Sequence, residues 1–93
     1  MTSPSAKLAS LSAIVSKIDQ RNRRQIVESA LRPVLEDLRG DWNYFDMDRT
    51  RFMENVDTLG IWATQIAKSR DTGVHVDKFV SELIALESRL KRS

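Results

Sequence analysis

The chain has no cysteine, three glycines, two prolines and six aromatic residues among its 93 positions. Without cysteine it can form neither a disulfide nor a zinc site with thiolate ligands. No apolar run approaches the roughly 20 residues of a membrane-spanning helix. The first residues also lack the pattern of a secretory signal. We therefore expect a cytoplasmic protein that has no membrane association.

Residue patterns that carry catalysis or ligand binding are also scarce. His75 is the only histidine, so no second histidine or cysteine joins it as a metal ligand. Asp46 and Asp48 begin like a calcium loop, but the glycine and glutamate that such a loop requires are missing. The sequence predicts no metal, no cofactor and no catalytic residue. A small helical enzyme is the minor alternative, and it would need a cleft lined by converging charges.

Helical periodicity dominates what is present, most clearly in the central stretch. Apolar residues there alternate at spacings of four and three, the period of an α-helix; they are Phe52, Val56, Leu59, Ala63 and Ile66. We predict a helix from about Asp46, as its N-cap, to Arg70. Gly60 widens this stripe, and because glycine costs a helix about 1 kcal/mol relative to alanine, we expect another helix to approach closely there.

The N-terminal part predicts a first helix from about Pro4 to Asp19, with Ser3 as its N-cap. Asn22 with Gln25 resembles a capping box and predicts a second helix from about Arg23. No glycine or proline separates the two, so one long bent helix is the alternative.

The apolar stripe continues through the second helix as Val27, Leu31, Val34 and Leu38. Pro33 lies within this stripe, which stays in phase across it, and predicts a kink. The alternative is a short helix to Leu31 and another that begins at Pro33. Gly40 is the predicted C-terminal cap.

Asp71, Thr72 and Gly73 are expected to end the central helix, and a last helix is expected from about Val76 to Leu90. The sequence predicts an all-α protein, a three- or four-helix antiparallel bundle in a single domain of residues 1–93.

The connection before the central helix holds three of the six aromatics, Trp42, Tyr44 and Phe45. Such residues either close the end of a bundle or form a binding patch. Ile61 points away from the central stripe and Trp62 lies at its edge, so the two could extend an apolar surface. We expect a non-catalytic helical protein that binds another protein through these five residues, with a homodimer as a further option.

The densest basic cluster consists of Lys17, Arg21, Arg23 and Arg24. Residues 1–25 hold five Lys or Arg and one acid, whereas residues 26–60 hold four and eight. The favoured interpretation is that the basic segment packs beside the acidic one, or pairs with Glu28. The alternative is a nucleic-acid-binding module in which this cluster grips phosphates.

Overall fold

The computed structural model describes residues 3–91 and is 79% helical, with four helices. Helix α1 spans Pro4–Val15, α3 spans Arg49–Lys68 and α4 spans Thr72–Glu87. Helix α2 covers residues 23–38, between α1 and α3. The predicted all-α bundle is confirmed, and it has four helices rather than three. None of the described helices is long and apolar enough to cross a membrane.

Helix α2 changes its winding before Pro33. It begins as the α-turn Arg23–Ile26, widens into the π-helical turn Val27–Leu31 and returns to α-geometry over Arg32–Leu38. A wider turn relieves the crowding between the proline ring and the preceding turn, which is why the chain continues instead of stopping. The added residue also shifts the buried stripe, so that Leu35 is buried and Val34 is only half-buried.

Contacts at the helix ends establish that sequential helices run antiparallel. Lys7 near the start of α1 reaches Asp41 just beyond α2. Arg24 at the start of α2 donates to the carbonyl of Ala67 near the end of α3. The segment before α3 pairs with Leu90, beyond the end of α4. The helices therefore form a bundle that measures 39 × 24 × 17 Å.

A single core runs between the helices. All five residues of the predicted central stripe are fully buried, and the stripe prediction is confirmed without exception. The other helices and the connection contribute the remaining core residues: Leu8, Leu11, Val15, Val27, Leu31, Leu35, Leu38, Phe45, Phe79, Leu83 and Leu86.

Several predicted helix ends were wrong by a few residues. Helix α1 ends at Val15 rather than Asp19, because the chain turns through residues 16–22 before α2. The N-cap of α3 is Asp48, whose carboxylate accepts the N–H of Arg51 at 2.8 Å. Asp46 instead lies outside the helix, where its backbone pairs with Arg89.

The two glycines predicted to end helices do not do so. Gly40 lies within the 3₁₀ segment Arg39–Tyr44, which continues directly from α2. Gly73 lies in the first turn of α4, which begins at Thr72 rather than near Val76. No described glycine has a positive φ, so neither forms a left-handed C-terminal cap.

The expected close approach at Gly60 is also wrong. A Cβ built at this position would meet no atom within 4 Å. The main chain of Gly60 has a different use, since its carbonyl accepts the hydroxyl of Thr64 at 3.1 Å. That hydroxyl in turn accepts a hydrogen bond from Arg32 at 2.8 Å, so a polar chain links α2 to α3.

The junction between α1 and α2 is a compact turn, which settles the alternative of one long helix. Asp19 accepts the N–H groups of Arg21 and Asn22 at 2.8 and 2.9 Å. The amide of Asn22 accepts the N–H of Asp19 and donates to the carbonyl of Lys17. The predicted capping box is therefore wrong, because the Asn22 side chain binds backward into the turn and makes no cap bond to α2.

Ion pairs stabilise the C-terminal end of α2. Lys7 pairs with Asp41 at 2.8 Å, and both side chains are mostly buried. Arg39 pairs with Asp57 of α3 at 2.7 Å and with Glu36 at 3.3 Å. The hydrogen bond that Arg39 donates to Asp57 raises the pKa of Arg39; burial opposes this effect, and the hydrogen bond to Glu36 adds to it.

The Lys7–Asp41 pair joins the basic N-terminal segment to the acidic middle, which agrees with the predicted packing of the two. The predicted pairing of the basic cluster with Glu28 is wrong, because Glu28 pairs with Arg32 and none of the four cluster cations forms an ion pair in the described residues.

Candidate functional site

The connection between α2 and α3 is anchored on both of its sides. Residues 44–46 pair antiparallel with residues 89–91 through two main-chain bonds. The N–H of Lys91 donates to the carbonyl of Tyr44 at 2.9 Å. The guanidinium of Arg89 donates twice to the carbonyl of Asp46, at 3.2 and 2.9 Å. The connection is therefore a fixed platform that closes one end of the bundle, which we call the connector end.

Two aromatic side chains project from this platform. Trp42 is 39% exposed and Tyr44 is 52% exposed. The guanidinium of Arg49, in the first turn of α3, lies 5.6 Å from the centre of the Trp42 ring. At this distance a cation attracts the ring face. Trp42 thus has a cation against its ring, and 39% of the residue remains exposed to solvent.

Phe45 lies on the opposite side of the same segment. It is 1% exposed, and its ring centre lies 4.8 Å from that of Phe52 in the core. It closes the end of the bundle, the first of the two roles that the sequence left open for the connection. Phe45 is therefore not part of the exposed surface at the connector end.

Ile61 is 57% exposed but stands apart from the connector end. Its position is 12 residues along α3 from Arg49, which is about 18 Å of helix. Its neighbours on the surface of α3 are all polar: Asp57, Thr58, Thr64 and Gln65. Ile61 is a single apolar side chain in polar surroundings, and the structure does not bring it together with Trp42 or Tyr44.

Trp62 belongs to the contact between α3 and α4. The ammonium of Lys78 lies 4.8 Å from the ring centre of Trp62, and the His75 ring lies 6.0 Å away. His75 itself makes a 3.0 Å hydrogen bond with the carbonyl of Asp71, which requires its Nδ1 to carry the proton. Trp62 is half-buried, so only part of the ring is available at the surface.

Sequence reasoning missed Ile84, the most exposed large apolar residue in the described part of the chain at 62%. It lines a surface depression together with Leu90 and Lys91. Lys91 pairs with Tyr44, so this depression borders the connector end. The available signal was that Ile84 follows Leu83 directly and cannot share its buried face, since adjacent helical residues point about 100° apart.

The basic residues lie at the opposite end of the bundle, which we call the junction end and define as residues 16–24 and 67–71. Lys17 and Arg21 project from the turn between α1 and α2, and both are exposed. Arg24 donates to the carbonyl of Ala67 at 3.4 Å. Arg23 is half-buried, and one of its terminal nitrogens is shielded from solvent without a hydrogen-bond partner.

Two further cations join this group that the sequence did not place there. Gln20 donates to the carbonyl of Arg70 at 2.6 Å, which fixes the turn after α3 beside the turn after α1. Lys68, the last residue of α3, and Arg70 in that turn are both exposed. Lys68 and Arg70 lie more than 40 positions after Arg24 in the sequence. Only the antiparallel packing of α2 and α3 brings these cations together.

Within residues 3–91, no three His, Asp or Glu side chains are grouped so that they could hold a metal ion. No family model, no curated protein and no solved structure matches this chain.

Proposed function

We propose that the protein acts by binding another protein through the connector end. The observation that carries this proposal is the pair of exposed aromatic side chains, Trp42 and Tyr44, on a connection fixed by the pairing with residues 89–91. Tryptophan and tyrosine are enriched among the residues that dominate binding energy at protein interfaces. The cytoplasm remains the proposed location, in line with the cysteine-free sequence.

Rigidity supports the same proposal. A flexible aromatic side chain loses conformational entropy when it is immobilised in a complex, which costs roughly 0.5–1.5 kcal/mol. Here the neighbouring Phe45 is locked in the core and Arg49 already restrains the Trp42 ring. Ile84 and Leu90, which line the bordering depression, would add apolar area at the edge of the same contact.

The test is to compare which host proteins are retained by the wild-type chain and by Trp42→Ser/Tyr44→Ser. A partner should bind the wild type and be lost from the double variant, because both anchors are removed while the core is untouched. Val74→Ser is the matched control, since Val74 is exposed but lies in the first turns of α4, toward the junction end. Purified partner and calorimetry then measure the loss, which we expect to exceed tenfold.

Two outcomes would refute this assignment. A partner that binds the double variant as well as the wild type does not use Trp42 or Tyr44. A partner lost equally from Val74→Ser indicates a general effect of surface polarity. Ile61→Ser tests in addition whether the isolated isoleucine on α3 contributes, and sedimentation of the free protein tests whether the partner is a second copy.

A further inference from the structure

We propose that the junction end binds double-stranded nucleic acid through its backbone phosphates. This proposal concerns the end of the bundle opposite Trp42 and Tyr44, and it does not depend on the protein-binding function. The juxtaposition that carries it is between two helix junctions. Lys17 and Arg21 lie in the turn after α1, and Arg24 lies in the first turn of α2; Lys68 ends α3, and Arg70 follows it.

The charge at this end is strongly one-sided. Residues 16–24 and 67–71 hold six Lys or Arg and two carboxylates, although the whole chain has a net charge of only +2. One of the carboxylates, Asp19, accepts two main-chain N–H groups within its own turn. Its charge is therefore directed toward the backbone of the turn and away from the cations around it.

None of these cations forms an ion pair within the described part of the chain. The four ion pairs found there involve Lys7, Arg32 and Arg39 as the cations. Glu28, which could pair with Arg24 one turn away, pairs with Arg32 at 2.9 Å. The junction end therefore presents positive charge that the fold itself does not neutralise, which is the usual electrostatic footprint of a nucleic-acid-binding surface.

The dimensions suit a row of phosphates. The cross-section of the bundle is 24 × 17 Å. A duplex rises about 3.4 Å per base pair. The longer side of this cross-section therefore matches the length of about seven base pairs. Five of the cations are exposed enough to meet it, whereas the shielded nitrogen of Arg23 adds charge without contact.

The absence of aromatic residues from residues 16–24 and 67–71 favours a duplex over a single strand. Single-strand binding proteins gain much of their affinity by stacking bases on aromatic rings. A surface of cations alone contacts phosphates and does not read bases, so no sequence preference is expected. An anionic membrane is the competing ligand, but the only large aliphatic residue in these two turns is Ile18, which is half-buried against the core.

The experiment measures fluorescence anisotropy of a labelled DNA duplex of about 20 base pairs at salt concentrations from about 50 to about 200 mM. We expect wild-type binding in the micromolar range at the lowest salt. The logarithm of the binding constant should fall with the logarithm of the salt concentration with a slope between about −3 and −5, because up to five cations displace counterions.

The variant Arg21→Gln/Arg70→Gln removes one exposed cation from each turn. It should bind at least about tenfold more weakly at low salt, and its salt slope should be smaller in magnitude by about two. Lys17→Gln/Lys68→Gln repeats the test with two other exposed residues, in case the first variant does not fold. Arg51→Gln/Lys91→Gln is the matched control, because it removes the same charge from exposed positions at the connector end.

Four results would overturn the proposal. The first is that micromolar protein does not bind the duplex at about 50 mM salt, and the second is that the control variant loses as much duplex affinity as Arg21→Gln/Arg70→Gln. The third is a strong preference for one of two unrelated duplex sequences. The fourth is that the protein binds phosphatidylserine vesicles but not the duplex. Retention of duplex binding by Trp42→Ser/Tyr44→Ser is expected, and it separates this proposal from the protein-binding one.

Discussion

Replacing Gly60 with alanine should stabilise the protein. Gly60 lies inside α3, eight residues before its end, and its backbone has an ordinary negative φ. An added Cβ would meet no atom within 4 Å, so the methyl group displaces no neighbour. The hydrogen bond from Thr64 uses the carbonyl of Gly60 and is unaffected by the side chain.

The expected magnitude follows from the backbone alone. Glycine in a helix interior is less favourable than alanine by about 0.8–1.0 kcal/mol, because it loses more conformational freedom on folding. Part of that difference resides in the unfolded state, where alanine has fewer accessible conformations. For a chain of this size, a gain of about 1 kcal/mol raises the melting temperature by roughly 4–8 °C.

Urea and thermal unfolding followed by circular dichroism measure this change. Gly73→Ala is a useful comparison, since Gly73 also has open space around its Cβ but lies in the first turn of α4, where the effect should be smaller. A loss of stability in Gly60→Ala would refute the reasoning, because it would mean that a neighbouring helix does approach α3 there. Overpacking of that kind typically costs about 1–3 kcal/mol.

Three further predictions test how the connector end is held. Phe45→Ala should lower the free energy of unfolding by about 3–5 kcal/mol, measured by urea denaturation, because it empties a fully buried site; Tyr44→Ala should change it by less than about 0.5. Asp48→Ala should cost about 1 kcal/mol in the same assay through loss of the α3 cap, whereas Asp46→Ala should be nearly neutral. Asp41→Asn should cost about 1 kcal/mol by weakening a mostly buried ion pair, and thermal melts should show a smaller difference in high salt.

The core of the bundle could be predicted from the sequence because it depends on periodicity. The stripe in α3 needs only a helix of 3.6 residues per turn, and every one of its five residues is buried. In α2 the same logic selected Val34, yet the structure buries Leu35. A π-helical turn before Pro33 adds a residue to the repeat, and no periodic template anticipates it.

Helix ends were less predictable, because two nearby residues often offer the same chemistry. Asp46 and Asp48 can both cap a helix, and the choice falls to Asp48 because the backbone of Asp46 is already paired with Arg89. That pairing joins residues more than 40 positions apart. Gly40 likewise has the conformational freedom of a cap, but the chain continues through it in a 3₁₀ segment.

The candidate surfaces required the tertiary structure for a similar reason. Ile61 and Trp62 are adjacent in sequence, and from the sequence they could extend one apolar surface. In the structure Ile61 lies among polar residues, and Trp62 contacts Lys78 of α4. Ile84 was hidden in sequence between Leu83 and Leu86, both of which pack inward. Lys68 and Arg70 joined the basic cluster only when α2 and α3 packed antiparallel.

Both proposed surfaces lie at the ends of the bundle, and there is a physical reason for this. The inner faces of the helices are used in packing, and their outer faces are largely polar. At each end the turns must close the core and satisfy free backbone groups, which demands residues such as Phe45, Arg89 and Gln20. The residues between those anchors have fixed backbones and free side chains. Neighbouring residues of the same turn therefore have different roles: one closes the bundle and the next is exposed at the surface, as Phe45 and Tyr44 illustrate.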